Sequence, residues 1–297
     1  MRKSPSGVEN PHWQFLEKIR REEECQMVLA NEVFLPKHPK PLRVYDDMFQ
    51  TYARESGRYL TELLRLLEVV VQPGVSPIDL EKIARDFFQF HASKGILPAF
   101  LGVDGYPNCI SVTKNNCIFH GPIDDVPFVE GDVITIDSGV NYRGANTDAA
   151  VSRVVGMGLP IHHHLVHTLE QALKRCLPLL VPGETLYQQG VFFLETARNA
   201  GLHLIRDCNG HGVGANLHED PWIVHWPAEY LKQIVLQPGN IFTLEPIFTE
   251  TSDLSISHGD DFVGYTKFGD FGAYREITIL MTESGAEVIA GVVDNYG

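Results

Sequence analysis

From Val44 onward, helical and strand-like hydrophobic patterns alternate along the chain, and they do so twice. Leu64-Arg-Leu-Leu-Glu-Val-Val-Val71 is an apolar helical run that stops at Pro73-Gly74, and Ser76-Pro-Ile-Asp79 opens a second helix reaching about Ser93. Leu173-Lys-Arg-Cys-Leu-Pro-Leu-Leu-Val181 stops at Pro182-Gly183, and Thr185-Leu-Tyr-Gln188 opens another reaching about Ala200. A Ser or Thr three residues before Asp or Gln predicts an N-cap of the capping-box type in both places. Strand-rich sequence follows each helical pair, at 110–118 and 133–155 and again at 241–247 and 274–288. Two such halves, about 43–158 and 159–297, predict a pseudo-twofold α+β fold with helices on the outer face of a curved antiparallel sheet.

Residues 1–42 read differently. A charged helical piece spans about 11–31, and the three prolines of Leu35-Pro-Lys-His-Pro-Lys-Pro-Leu42 favour an extended tether. No apolar segment of signal-peptide length occupies the N-terminus, and no run approaches the roughly 20 apolar residues that span a bilayer. Five cysteines without a C-x-x-C pair predict neither a disulfide framework nor a zinc knuckle. Together these features predict a cytoplasmic protein. A net charge of −14 argues against a nucleic-acid or anionic-membrane surface and leaves small, peptidic or cationic substrates.

The segment Asp132-Val-Ile-Thr-Ile-Asp137-Ser-Gly-Val-Asn-Tyr-Arg-Gly-Ala-Asn-Thr-Asp148 reads as a β-hairpin. With Asn141–Gly144 as the turn, Val140 pairs with Ala145 and Asp137 lies directly opposite Asp148. Like charges so placed are destabilising. A shared proton or bound divalent cations would relieve them.

Other ionisable residues sit where strands want apolar ones. Glu245 ends Ile241-Phe-Thr-Leu-Glu245-Pro246, and Glu276 lies within Ala273-Tyr-Arg-Glu276-Ile-Thr-Ile-Leu-Met281. Alternation puts Glu276 on the face of Tyr274 and Thr278, away from Arg275, and leaves its burial undecided. Asn209-Gly-His211-Gly-Val-Gly-Ala-Asn-Leu-His218-Glu-Asp-Pro221 sets two histidines among glycines, and His120 closes a strand before Gly121-Pro122. His162, His163, His164 and His167 read instead as a solvated helix start, because consecutive helical residues diverge.

Four carboxylates and one imidazole suit a two-metal centre, since hard oxygens bridge divalent ions and a nitrogen adds affinity for transition metals. Such a pair can activate water and polarise a carbonyl, which is hydrolytic chemistry. A shared proton would employ only Asp137 and Asp148 and leave Glu245, Glu276 and His211 without a role. The chain has no G-x-S-x-G elbow and no H-E-x-x-H helix.

The order Asp137, Asp148, His211, Glu245, Glu276, with Gly210-His-Gly-Val-Gly214, His218-Glu-Asp-Pro221 and Phe242-Thr-Leu-Glu-Pro246, resembles the methionine aminopeptidases of the pita-bread fold over about residues 45–290. Only 26 residues separate His218 from Glu245, which makes the resemblance closer to type I. The resemblance implies two divalent ions (Co, Mn, Fe or Zn), with Asp137 chelating one, Asp148 and Glu276 bridging, and His211 and Glu245 completing the other. It also implies attack by a metal-bridging hydroxide, Glu245 as proton shuttle, and His120 and His218 as contacts to the substrate amide. Tyr106, in Gly105-Tyr-Pro107, and Leu217 fall at substrate-pocket positions. The implied partner is a peptide or nascent-chain N-terminus. Ribosome association through residues 1–42, a monomeric state, and no nucleic acid or membrane complete the expectation.

Departures from the family pattern surround the pocket. Leu217 stands where Phe is usual, Tyr274-Arg-Glu276-Ile-Thr278 where Gln-x-Glu-His-Thr is usual, Ser111 at a cysteine position, and Phe262 near an expected tryptophan. An Xaa-Pro aminopeptidase or prolidase of the same fold, and a non-catalytic pita-bread interaction protein, are the alternatives.

Overall fold

The structure is a computed structural model that describes residues 38–257 and 263–293. The helical piece expected at 11–31 and Phe262 lie outside the described residues. Helix α1 (Asp47–Val70) begins where the Asp46 carboxylate accepts the Phe49 N–H at 2.8 Å. Its leucines 60, 63, 64 and 67 follow the 3.6-residue period and are fully buried. Helix α2 (Pro77–His91) has the expected acidic cap, with the Asp79 carboxylate accepting both the N–H (3.2 Å) and the hydroxyl (2.6 Å) of Ser76.

Strands β1 (Ile96–Pro98), β2 (Ile110–Lys114), β3 (Cys117–Phe119), β4 (Val133–Tyr142) and β5 (Ala145–Val154) complete the first half. The second half opens with α3 (Pro160–Cys176) and α4 (Tyr187–Asn199). Strands β6 (His203–Leu204), β7 (Asn209–Gly212), β8 (Glu219–Val224), β9 (Ile241–Leu244) and β10 (Ile247–Thr249) follow. The last are β11 (Ser255–Ser257), β12 (Gly264–Thr266), β13 (Gly272–Tyr274), β14 (Ile277–Thr282) and β15 (Gly285–Ala290).

The capping box expected at Thr185 does not form. The cap of α4 is Leu186, in αR conformation and without a side-chain bond, while Thr185 pairs with Val235. The run at 110–118 divides at Asn115, whose φ of 58° breaks the strand, and the run at 241–247 divides at Pro246, which has no N–H to give a ladder.

Every pairing between these strands is antiparallel, but the expected curved sheet is divided into four hydrogen-bonded pieces. Strands β1-β4-β2, with β5 on β4, form the first, and β15-β14-β9-β7-β8 the second; β13-β10-β6 and β11-β12-β3 are smaller. Helix α1 packs on β4, β5 and β15, so the first helix of the first half also covers the last strand of the second. Leu60, Leu63 and Leu67 share one core with Ile134, Ile136, Val140 and Val151 of the hairpin.

Candidate metal centre

The hairpin that carries the two aspartates turns later than expected. Tyr142 pairs with Ala145 across the two-residue turn Arg143-Gly144, so Asp137 faces Ala150 and Asp148 faces Gly139. Arg143 (φ 52°) and Gly144 (φ 86°) both take the left-handed conformation that two-residue hairpins of matching twist require, and the Asn141 side chain accepts the Gly144 N–H. The register differs from the expected one by two residues. An even shift keeps each side chain on its face, so the aspartates become diagonal neighbours and still converge.

Glu276, left open by its sequence pattern, is buried, as are Asp148 and His211. Asp137, Asp148 and Glu276 each bring an oxygen to within 4.8 Å of the others, and His211, Glu245 and Glu276 form a second such group. His218 joins Asp148 and His211 in a third, from a more exposed position. The five residues proposed from sequence as ligands therefore meet at one place, from β4, β5, β7, the end of β9 and the junction of β13 with β14.

The Nδ1 of His211 lies 2.9 Å from the Gly212 carbonyl and so carries the ring proton. That leaves Nε2 as a lone pair facing Glu245 Oε1 at 3.7 Å and Asp148 Oδ2 at 3.9 Å. Burial, reinforced by His218, pushes the His211 pKa down to about 3, so the ring is neutral near pH 7. A neutral imidazole is the ligand form.

Burial acts oppositely on the acids. It raises Asp137 to about 7 and Glu245 to about 8, and Asp137 adds to the rise at Glu245. Asp148 and Glu276 go well above the usual carboxylate range, first by burial and then by the neighbouring carboxylates. Asp137 Oδ1, Asp148 Oδ1 and Glu276 Oε1 are buried without a hydrogen-bond partner. Lone pairs left over in this way, with a neutral nitrogen beside them, fit a divalent cation and leave no comparable role for an anion or an apolar group.

Residues that the sequence did not single out complete the surroundings. Thr243 accepts the His211 N–H (3.0 Å) and donates to Glu245 Oε1 (2.8 Å), tying two of these residues together. His225 Nε2 accepts the Glu245 N–H (3.2 Å), while its Nδ1 meets Gln189 Oε1 (3.0 Å). The Tyr274 hydroxyl donates to Asp137 Oδ2 at 2.8 Å. Alternation had put Tyr274 on the face of Glu276, which was the available signal; nothing in the local pattern marked Thr243 or His225.

Beside the cluster, the ring of His218 lies 4.6 Å from that of His211 and 6.0 Å from that of Trp222. Leu217 is buried beside it, and Glu219 holds this loop by accepting the Tyr45 hydroxyl (2.7 Å) and the Asn216 N–H (2.9 Å). His120 is exposed at the end of β3 with φ 51°. Tyr106 is half-buried, its hydroxyl donating to the Ile110 carbonyl at 2.8 Å, and Ser111 pairs with Asp137 across β2 and β4. In the histidine-rich start of α3, His163, His164 and His167 are exposed, but His162 is buried, stacked on Phe271 and bonded to the Gly131 carbonyl. The expected solvated start thus holds for three of the four.

Similar proteins are found along most of the chain. Methionine aminopeptidase of Escherichia coli is 30% identical over 239 residues, covering 80% of this chain and 89% of that protein. The crystal structure of methionine aminopeptidase from Thermotoga maritima is 30% identical with a TM-score of 0.79, covering 84% of this chain and all (100%) of that one. Prolidase from Pyrococcus furiosus, 20% identical with a TM-score of 0.65, shares the fold over 84% of this chain and 65% of its own. The family model for metallopeptidase family M24 matches residues 51–283, and the chain belongs to that family.

Proposed function

We propose that this chain is a metal-dependent aminopeptidase that removes the N-terminal residue, initiator methionine, from peptides and nascent proteins. The observation that carries the reading is the convergence of four carboxylates with one neutral imidazole, three of the carboxylates keeping a buried oxygen without a protein partner. Asp137, Asp148, His211, Glu245 and Glu276 would hold two ions of the Co, Mn, Fe or Zn type. Bound there, divalent ions would supply Lewis acidity towards the scissile carbonyl and a water of lowered pKa.

The chain's own groups do the rest. Glu245 would be the proton carrier, with the Thr243 hydroxyl donating to its Oε1 and holding the carboxyl in place. His218 and His120 lie beside the cluster and would hydrogen-bond the substrate amide; burial, reinforced by His120 and only partly offset by Asp104, holds the His218 pKa below the usual imidazole range. Tyr106 and Leu217 would line the pocket for the first side chain. The free amine of the substrate would sit against the acidic cluster, limiting cleavage to one residue.

Residues 43–297 form the catalytic domain in this reading, and 1–42 a tether through which the protein would associate with the ribosome. The chain would act as a cytoplasmic monomer; among the described residues no helix is long and apolar enough to cross a membrane. Mass spectrometry of Met-Ala and Met-Gly peptides incubated with the metal-loaded protein tests the proposal. Release of methionine is expected. Cleavage of an Xaa-Pro peptide instead would favour the prolidase-like alternative, and cleavage of neither would favour a binding module.

A further inference from the structure

We propose that Tyr274 is a positioning residue that holds one oxygen of Asp137 and aims the other at the metal, in place of the two-oxygen chelation that the family resemblance implies, an inference that rests on the metal-binding reading above. Asp137 has two oxygens with opposite fates. Oδ2 accepts the Tyr274 hydroxyl at 2.8 Å, whereas Oδ1 is buried and has no hydrogen-bond partner. A carboxylate rotates about one bond, so fixing one oxygen fixes the direction of the other.

Tyr274 is suited to that task because it has little freedom of its own. It ends β13, pairs with Ile247 of β10, and is 3% exposed. Its ring belongs to a cluster with Ile118, Ala150, Ile205 and Ile247. The phenol therefore reaches from a strand of the second half to a carboxylate of the first, held by packing at its ring and by the ladder at its backbone. A buried hydroxyl needs a partner, and this one has Asp137.

The donor also changes what Asp137 offers a cation. A carboxylate oxygen that accepts a hydrogen bond has less electron density to give, and Oδ1 remains the stronger donor of the two. Outer partners of this kind shift metal affinity by about 10–100-fold when removed. The Gln usual at this position in the resembled enzymes has a shorter side chain, so the phenol contact belongs to this chain's own sequence.

The test is calorimetric titration of Mn²⁺ alone into the full-length, metal-stripped protein and into Tyr274→Phe, which keeps the ring. The expected result is a loss of about 10–100-fold in affinity for one equivalent, the other equivalent staying near wild type. Unchanged affinity would overturn the proposal, and so would equal weakening of all equivalents, which is the mark of a general loss of structure. Wild-type protein that takes up no Mn²⁺ would instead overturn the metal reading itself. Should the Phe variant not fold, a crystal structure of Mn²⁺-loaded wild type decides: a Tyr274 Oη to Asp137 distance of about 3 Å supports the role, and one beyond hydrogen-bond range rejects it.

Discussion

Glu276 and Ala150 exchange both of their backbone hydrogen bonds, at 3.1 and 3.2 Å, across the seam between the two halves of the fold. Two residues along, the link is repeated by a side chain: Thr278 Oγ1 accepts the Asp148 N–H at 3.0 Å and donates to the Asp148 carbonyl at 2.6 Å. Both carboxylates therefore hang from backbone that is paired across the seam. Their mutual repulsion cannot be relieved by a loop moving away.

Asp148→Asn tests the consequence, because it removes one of the like charges and one ligand together. Metal affinity should fall by at least about 100-fold, more than loss of an outer-shell partner typically costs. Peptidase activity should fall with it. In chelator, however, the variant should melt no lower than wild type, since one member of the crowded carboxyl cluster is gone. Titration calorimetry and paired thermal melts read both effects.

Metal-free wild type should lose stability as pH rises. Unfolded Asp and Glu release their protons near about 4, whereas folded Asp137 and Glu245 hold theirs to about 7 and about 8. Between those limits these two carboxyls bind more protons in the native state than in the unfolded one, each costing about 1.4 kcal/mol per pH unit of increase, while His211 and His225, held neutral down to about 3 when folded, oppose them below about pH 6.5. Below about pH 4 both states are protonated, and the penalty vanishes. Melting temperatures of chelator-treated protein should decline from about pH 6.5 to pH 8, where unfolded histidine is neutral too and no longer offsets the carboxyls, and saturating Mn²⁺ should flatten the decline.

The hydrophobic pattern made the helix pairs and the hairpins legible because periods of 3.6 and 2 are local properties. The five proposed ligand positions were legible for a related reason: each places a charge or imidazole where its own strand wants an apolar or small residue. The hairpin register was not, since Asn141–Gly144 and Arg143-Gly144 are both credible turns, and the choice depends on which residue takes φ above zero. Thr243 lay deeper still. A threonine in a strand is unremarkable until β7 arrives beside it, so its contacts with His211 and Glu245 exist only in the tertiary structure.

Gly57 should tolerate no side chain. A Cβ there would stand 2.0 Å from the Ile289 carbonyl oxygen of β15, a backbone atom with no room to retreat. Gly57→Ala would raise helix propensity by about 1 kcal/mol, yet overpacking of this kind costs about 1–3 kcal/mol or more. Net destabilisation is expected, read as a lower urea midpoint, with metal affinity per folded molecule unchanged.

Thr243→Val separates the role of one hydroxyl from that of its strand. Valine keeps the shape, and Thr243 is fully buried, so the ladder between β9 and β14 should survive. The His211 N–H would lose its acceptor and Glu245 Oε1 its donor. A buried donor left unpaired costs about 1–3 kcal/mol, which sets the expected fall in stability. Freed from Thr243, the Glu245 carboxyl would lose a bond that favours its charged form, so its pKa in the metal-free protein should rise further above about 8. Turnover should fall more than KM rises, because the group affected is the proposed proton carrier and not a pocket wall. Steady-state kinetics on Met-Ala peptides across pH, with denaturant melts alongside, distinguish that result from a uniform loss caused by poor folding.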